Sequence, residues 1–118
     1  MGLRHLAKRL KTSVGDLDDQ RLQDRFVGLE LVAIGDLACR QPARVAGEIQ
    51  RMRMRPRSGV PSFEITISDG SGQVTAVFTG RRQLAGVDHG RAILLEGVAH
   101  MERGRSVLLN PAYTLLPS

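Results

Sequence analysis

Aromatic side chains are almost missing from this chain of 118 residues: it has no tryptophan, one tyrosine (Tyr113) and three phenylalanines (Phe26, Phe63 and Phe78). Surfaces that hold unstacked bases tightly use aromatic platforms worth about 1–3 kcal/mol per base, and this composition cannot supply many. Cysteine is limited to Cys39, which excludes an internal disulfide and a zinc knuckle and fits a reducing cytoplasm. No apolar run is long enough to span a membrane. The opening MGLRHLAKRLKTS is basic and lacks the continuous apolar core of a secretory signal. His5, His89 and His100 fall in separate segments, without metal-ligand spacing. No nucleophile elbow and no phosphate-binding loop occurs. The expectation is a protein without catalytic residues, metal or cofactor, and not an enzyme.

What the chain has in quantity is arginine. Formal net charge is +5 and the sequence pI about 10.6, a balance that favours a polyanionic partner. Lysine contributes only Lys8 and Lys11 to the 17 basic residues. Arginine forks onto phosphates and stacks on bases, which lysine does not. A GC-rich genome also enriches arginine, so the positions of the arginines carry more than their number.

Hydrophobic spacing divides the chain. Leu3, Leu6, Ala7 and Leu10 follow a helical period, with Arg4, Lys8, Arg9 and Lys11 opposite. With leucine and alanine as its only apolar anchors, this segment is a poor membrane binder; it packs on the rest of the chain, docks on a partner, or frays. Gly15 breaks the pattern and Asp16 is a good N-cap for a second helix carrying Leu22, Phe26 and Leu29. Residues 1–29 thus read as a helical extension, and 30–118 as the main domain. Residues 30–42 form a transition in which Cys39 is an inert, half-buried thiol.

From residue 43 the period changes to two. Val45, Gly47 and Ile49 alternate with polar partners, and Gly47 lets a long first strand bend. A bulge beyond it turns Met52 and Met54 inward and the arginines out. Phe63, Ile65 and Ile67 alternate with Glu64, Thr66 and Ser68 as a half-buried second strand. Asp69-Gly70-Ser71-Gly72 is a hairpin turn, and Val74, Ala76 and Phe78 mark a third strand. GRRQLAGVDHG (80–90) is a connector with room for one helical turn. Residues 91–101 and 105–110 make a fourth and fifth strand, and Asn110-Pro111 ends the sheet. The architecture is mainly β: a small five-stranded barrel with one or two short N-terminal helices. Val45, Ile49, Phe63, Ile65, Ile67, Val74, Phe78, Leu94 and Val107 form its expected core.

The segment VAGEIQRMRMRPRSGVPSFEITISDGSGQVTAVFTG resembles the first three strands of nucleic-acid-binding OB domains of the tRNA-anticodon-binding type, with V-x-G-x-I, D-G-x-G and a terminal aromatic in place. LLEGVAHMERGRSVLLNPAYTLL resembles the last two strands of the wedge domain of RecG-type helicases, and Ile34, Asp36 and Leu37 resemble its entry. Including GRRQLAGVDHG, the chain is similar to small stand-alone bacterial OB-fold proteins, usually described only as candidate DNA-binding proteins. The resemblance covers about residues 30–116 and implies an OB-fold barrel whose binding face is flanked by two loops. It does not imply a motor, since helicase motifs are absent.

Those loops hold the arginine clusters. Arg51, Arg53 and Arg55 share one strand face and Arg57 follows in the loop, a row suited to a phosphate backbone. The competing account is a charged edge strand that discourages sheet-to-sheet association. Arg103 and Arg105 flank a glycine turn, where charge also serves solubility. Arg81 and Arg82 either contact phosphate or a partner, or anchor the connector by bonding carbonyls. Tyr113 reads as a packed plug with an exposed hydroxyl and as a further candidate contact. Two functions remain open. One is a cytoplasmic module that binds single-stranded or junction DNA, in preference to RNA, with low specificity, in repair or recombination. The other is an adaptor or accessory subunit that holds a larger DNA-processing protein, or a second copy of the chain.

Overall fold

The computed structural model describes residues 15–26 and 30–117. The first predicted helix, with Arg4 and Lys8, lies outside them, as does Leu29. Residues 15–25 form helix α1. A 3-10 turn at Ile34–Asp36 follows. The strands are β1 (Pro42–Arg57), β2 (Val60–Ser68), β3 (Gln73–Thr79), β4 (Ala92–Glu102), β5 (Arg105–Leu109) and β6 (Ala112–Leu115). Among the described residues no helix is long and apolar enough to cross a membrane.

β1 to β5 close into a ring in the order β1-β2-β3-β5-β4, with β4 returning to β1. All pairings are antiparallel except β3–β5, where Thr75, Ala76 and Val77 run parallel to Val107, Leu108 and Leu109. β1 belongs to both sides of the closure. Its first half, Pro42 to Glu48, pairs with β4, and its second half, Glu48 to Arg57, pairs with β2. The register slips between Ile49 and Arg51, leaving Gln50 as the extra residue of the expected bulge. Gly47 sits at the bend. A Cβ there would lie 2.9 Å from the Ser68 carbonyl oxygen and 3.1 Å from Ile67 Cβ, so the close approach of β2 demands glycine.

The interior holds Val45, Ile49, Phe63, Ile65, Ile67, Val74, Ala76 and Phe78, closed by Ile93, Leu95, Ala99 and Leu108. The phase expected for β1, β2 and β3 is therefore the one found. On β4 and β5 two expected core residues face the other way. Leu94 is half-buried against Phe26, Ala46 and Ala92 outside the barrel. Val107 is buried but pairs with Thr75, and its neighbour Leu108 faces inward. Alternation alone does not say which phase is inside when both faces are covered. The same holds for Glu64 and Ser68, expected on an exposed face and found buried on the outer side of β2.

Other expectations change with the tertiary context. Met52 and Met54 share the inner phase with Ile65 and Phe63 but are 39% and 57% exposed, because β1 and β2 continue beyond the barrel. Asn110-Pro111 does not end the sheet, since β6 adds to β4 through Ile93–Leu115 and Glu96–Ala112. The connector after β3 makes turns rather than a helical turn, and Leu84 and Val87 plug that end of the core. Residue 15 is already helical, so Asp16 lies inside α1 rather than capping it; the first helix that Gly15 was expected to end lies outside the described residues. Cys39 is exposed rather than half-buried.

α1 is bound to the barrel by charge and packing. Leu22 is buried, and Phe26 joins Ala46 and Ala92. Arg21 donates to both oxygens of Glu48, at 3.0 and 3.1 Å, and Arg25 donates to the same carboxylate. These contacts hold the Glu48 carboxyl below its ordinary range, chiefly through Arg21, against the opposing effect of burial.

Gly59, unlike Gly47, has open space around it but a φ of +79°, so any side chain there strains the turn. Gly47→Val is expected to cost about 3 kcal/mol or more through overpacking, and Gly59→Val about 1–2 kcal/mol through left-handed backbone strain. Chemical denaturation of the two variants beside the parent checks this order; equal losses would count against the close approach of β2 to β1.

Candidate nucleic-acid interface

Two hairpins rise side by side from the ring. β1 and β2 turn through Ser58-Gly59, with φ of 50° and 79°; β4 and β5 turn through Arg103-Gly104, with φ of 50° and 79°. Two successive left-handed residues give the tight, twisted hairpin loop that a strand pair accepts most readily. The strand period sets the directions of the side chains. Arg51, Arg53 and Arg55 lie opposite Thr66, Glu64 and Ser62 on the outer face of β1 and β2. Arg105, opposite Glu102, enters from β5.

The arginine clusters meet. Arg55, Arg57, Arg103 and Arg105 line one cleft of about 380 Å³, with Glu64 and Glu102 in its wall. Arg51, Arg53 and Arg105 surround a smaller adjoining hollow with Glu64 and Thr66. All six arginines singled out in the sequence therefore border one continuous face between the two hairpins.

They are not equivalent. Arg57 makes a two-pronged bond to Glu102, at 3.0 and 2.9 Å, tying the tip of one hairpin to the end of β4. The fork of the guanidinium matches the carboxylate, and the pair raises the Arg57 pKa. His100 Nε2 lies 2.6 Å from the same Glu102 carboxylate. Arg105 approaches Glu64 at 3.6 Å. Arg51, Arg53, Arg55 and Arg103 make no ion pair among the described residues. The sequence assigned Arg57 to the phosphate row; its partner Glu102 sits 45 residues away, and no local pattern announces that pairing.

The remaining candidates lie elsewhere. Arg81 and Arg82 are exposed on the connector and bond no carbonyl among the described residues. Arg82 borders a separate groove of about 480 Å³ with Met52, Met54, Phe63 and Leu84. Tyr113, on β6, packs edge-on against Phe78 with ring centres 5.5 Å apart and takes no part in the arginine cleft. No aromatic ring lines that cleft, whose walls are arginine, glutamate, proline, serine and threonine.

No protein-family model and no curated protein matches this chain. Solved structures do. A replication factor A related protein from Methanobacterium thermoautotrophicum, known from solution NMR, superposes with a TM-score of 0.60 at 17% identity, over 74% of this chain and 91% of that one. A replication protein A heterotrimer bound to ssDNA superposes with a TM-score of 0.51 at 9% identity, over 65% of this chain and 58% of that one. At these identities the likeness establishes the fold, a five-stranded OB barrel.

The Arg57–Glu102 bond carries a pH signature. Arg57, and secondarily His100, hold the Glu102 carboxyl down at about 2. Its folded pKa thus lies below its unfolded one, so the stability it contributes is full above about pH 4.5 and is lost as pH falls toward 2. Glu48 shifts in the same direction. Melting temperature followed from pH 5 to 2 is expected to fall less steeply in Glu102→Gln than in the parent; identical acid limbs would show that the bond adds nothing in solution.

Proposed function

We propose that the chain is a non-enzymatic nucleic-acid-binding module that holds single-stranded or junction DNA in the cleft between its two hairpins. The observation that carries this reading is the convergence of two arginine clusters, far apart in sequence, on one face of an OB barrel. Arg51, Arg53, Arg55 and Arg103 supply the charge for successive phosphates. Arg57 acts chiefly as the tie between the hairpins, and Arg105 stands over Glu64. Without an aromatic platform, affinity comes from counterion release and is strongly salt-dependent. One of the solved structures that share the fold is a heterotrimer bound to ssDNA, which favours single strands and a role inside a larger assembly. A cytoplasmic place, as the single Cys39 suggests, and a role in repair or recombination are part of this reading.

A second reading rests on the groove on the opposite face of the β1–β2 hairpin. Met52 and Met54 are exposed there beside Phe63, Leu84 and the cationic rim of Arg53 and Arg82. An exposed apolar strip of this kind suits a protein contact, so the chain would also serve as an adaptor to a larger DNA-processing protein or a second copy of itself. The two faces are compatible with each other.

Affinity for a single-stranded oligonucleotide, titrated against salt, tests the first reading. Each phosphate contact contributes about 0.7 to the slope of log affinity against log salt. Replacing Arg53 and Arg55 by glutamine is expected to lower that slope by about 1–1.5 and to weaken binding alike across base sequences. Arg57→Gln is expected to change the slope less, since its charge already faces Glu102. No binding at low salt, or an unchanged slope after loss of Arg51, Arg53, Arg55 and Arg103, would transfer the function to the adaptor face.

A further inference from the structure

Glu64 stands in the wall shared by the cleft and the smaller hollow beside it. It projects from β2 between Arg53 of β1 and Val77 of β3. Its side chain is only 6% exposed, yet its nearest cation, Arg105, stays 3.6 Å away. That is too long for a hydrogen bond. Among the described residues its oxygens accept none. Those oxygens are not sealed from solvent but open into the cleft, so their acceptor capacity is offered to any donor that enters it. Packing does not call for the carboxylate, since threonine and serine fill the neighbouring outward positions of the same strand, Thr66 and Ser62. The Thr66 and Thr75 hydroxyls, 3.1 Å apart, lie alongside and extend the polar floor.

A phosphate cannot occupy this point, because the carboxylate repels it. Phosphates are therefore confined to the arginine rims, which turns the bases of a bound strand toward the floor. The group a carboxylate takes from a base is an amino hydrogen, as at N4 of cytosine. Adenine and guanine carry amino groups as well. Thymine and uracil have none, and their one Watson–Crick N–H lies between two carbonyl oxygens that a carboxylate repels.

We infer that Glu64 is a base-reading residue, which accepts a hydrogen bond from the exocyclic amino group of a nucleobase lowered into the cleft and so selects cytosine, adenine or guanine over thymine or uracil. This rests on the cleft being a nucleic-acid site, and adds one position of base discrimination to contacts that are otherwise indifferent to sequence.

Oligo(dC) and oligo(dT) of about 12 nucleotides, bound to the full chain at neutral pH and followed by fluorescence anisotropy, provide the test. The parent is expected to bind oligo(dC) about tenfold tighter, the effect of one good base contact. Glu64→Gln offers a donor as well as an acceptor, so the ratio is expected to fall toward unity while affinity for oligo(dT) rises. Equal affinities in the parent overturn the inference without recourse to any variant, as does a preference for oligo(dC) that survives in a folded Glu64→Gln protein. Failure of the parent to bind either oligonucleotide overturns the reading of the cleft itself and this inference with it. The salt slope keeps the two apart: a normal slope with no base preference removes Glu64 alone.

Discussion

Closure of the barrel depends on one strand making two different sets of backbone bonds. β1 can pair with β4 and then with β2 only if it bends sharply, and the bend needs both the missing side chain of Gly47 and the extra residue at Gln50. Everything of functional interest lies downstream of that turn. Past it, β1 leaves the ring and runs on as one arm of a hairpin, with its arginines on one face and its methionines on the other. A straight first strand could not pair with both β4 and β2, and would separate Arg55 from Arg103.

Acidic residues decide what the arginines do. Glu48 takes Arg21 and Arg25 and fastens the helix to the barrel. Glu102 takes Arg57 and links the hairpins. Glu96 lies 3.5 Å from Arg44 across the β1–β4 pair, both well exposed, a contact worth little in water. After pairing, Arg51, Arg53, Arg55 and Arg103 are left without an ion pair around one cleft, while Arg40, Arg81, Arg82 and Arg91 stand apart from it, none of them in an ion pair among the described residues. Composition indicates an anionic partner; only the pairing indicates where it goes.

Much of this was readable from the residues. Strict alternation in β2 and β3 set the correct inner phase, and the turn chemistry of Asp69-Gly70 and Arg103-Gly104 placed the hairpins. That the two arginine clusters border one cleft was an expectation of the OB-fold resemblance, which places both loops beside one face. The errors have a common origin in surfaces covered from a distance. Leu94 and Val107 are apolar but lie on the outer face of the ring, where Leu94 packs with Phe26 beyond α1 and Val107 is buried beside Thr75. Met52 and Met54 alternate like core residues on a strand that outruns its core. β6 was hidden because Asn110-Pro111 marks a chain stop in local terms, while the open edge of β4 that receives Ala112–Leu115 is visible only in three dimensions. Glu102 and Glu64 carry no local signature at all; their roles come from residues brought close by the fold.

The double pairing of β1 also sets an order of events during folding. β1, β2 and β3 form a meander of consecutive hairpin neighbours, whereas Pro42 must await Val98 and Thr75 must await Val107. Such distant pairings pay loop-closure entropy before they are rewarded, which slows folding. As the chain is synthesised, the meander is available first, with Val45 and Ile49 still uncovered and the arginine row already displayed but lacking its opposite wall. The cleft therefore comes into being at the last step, when β4 and β5 arrive together and close the ring.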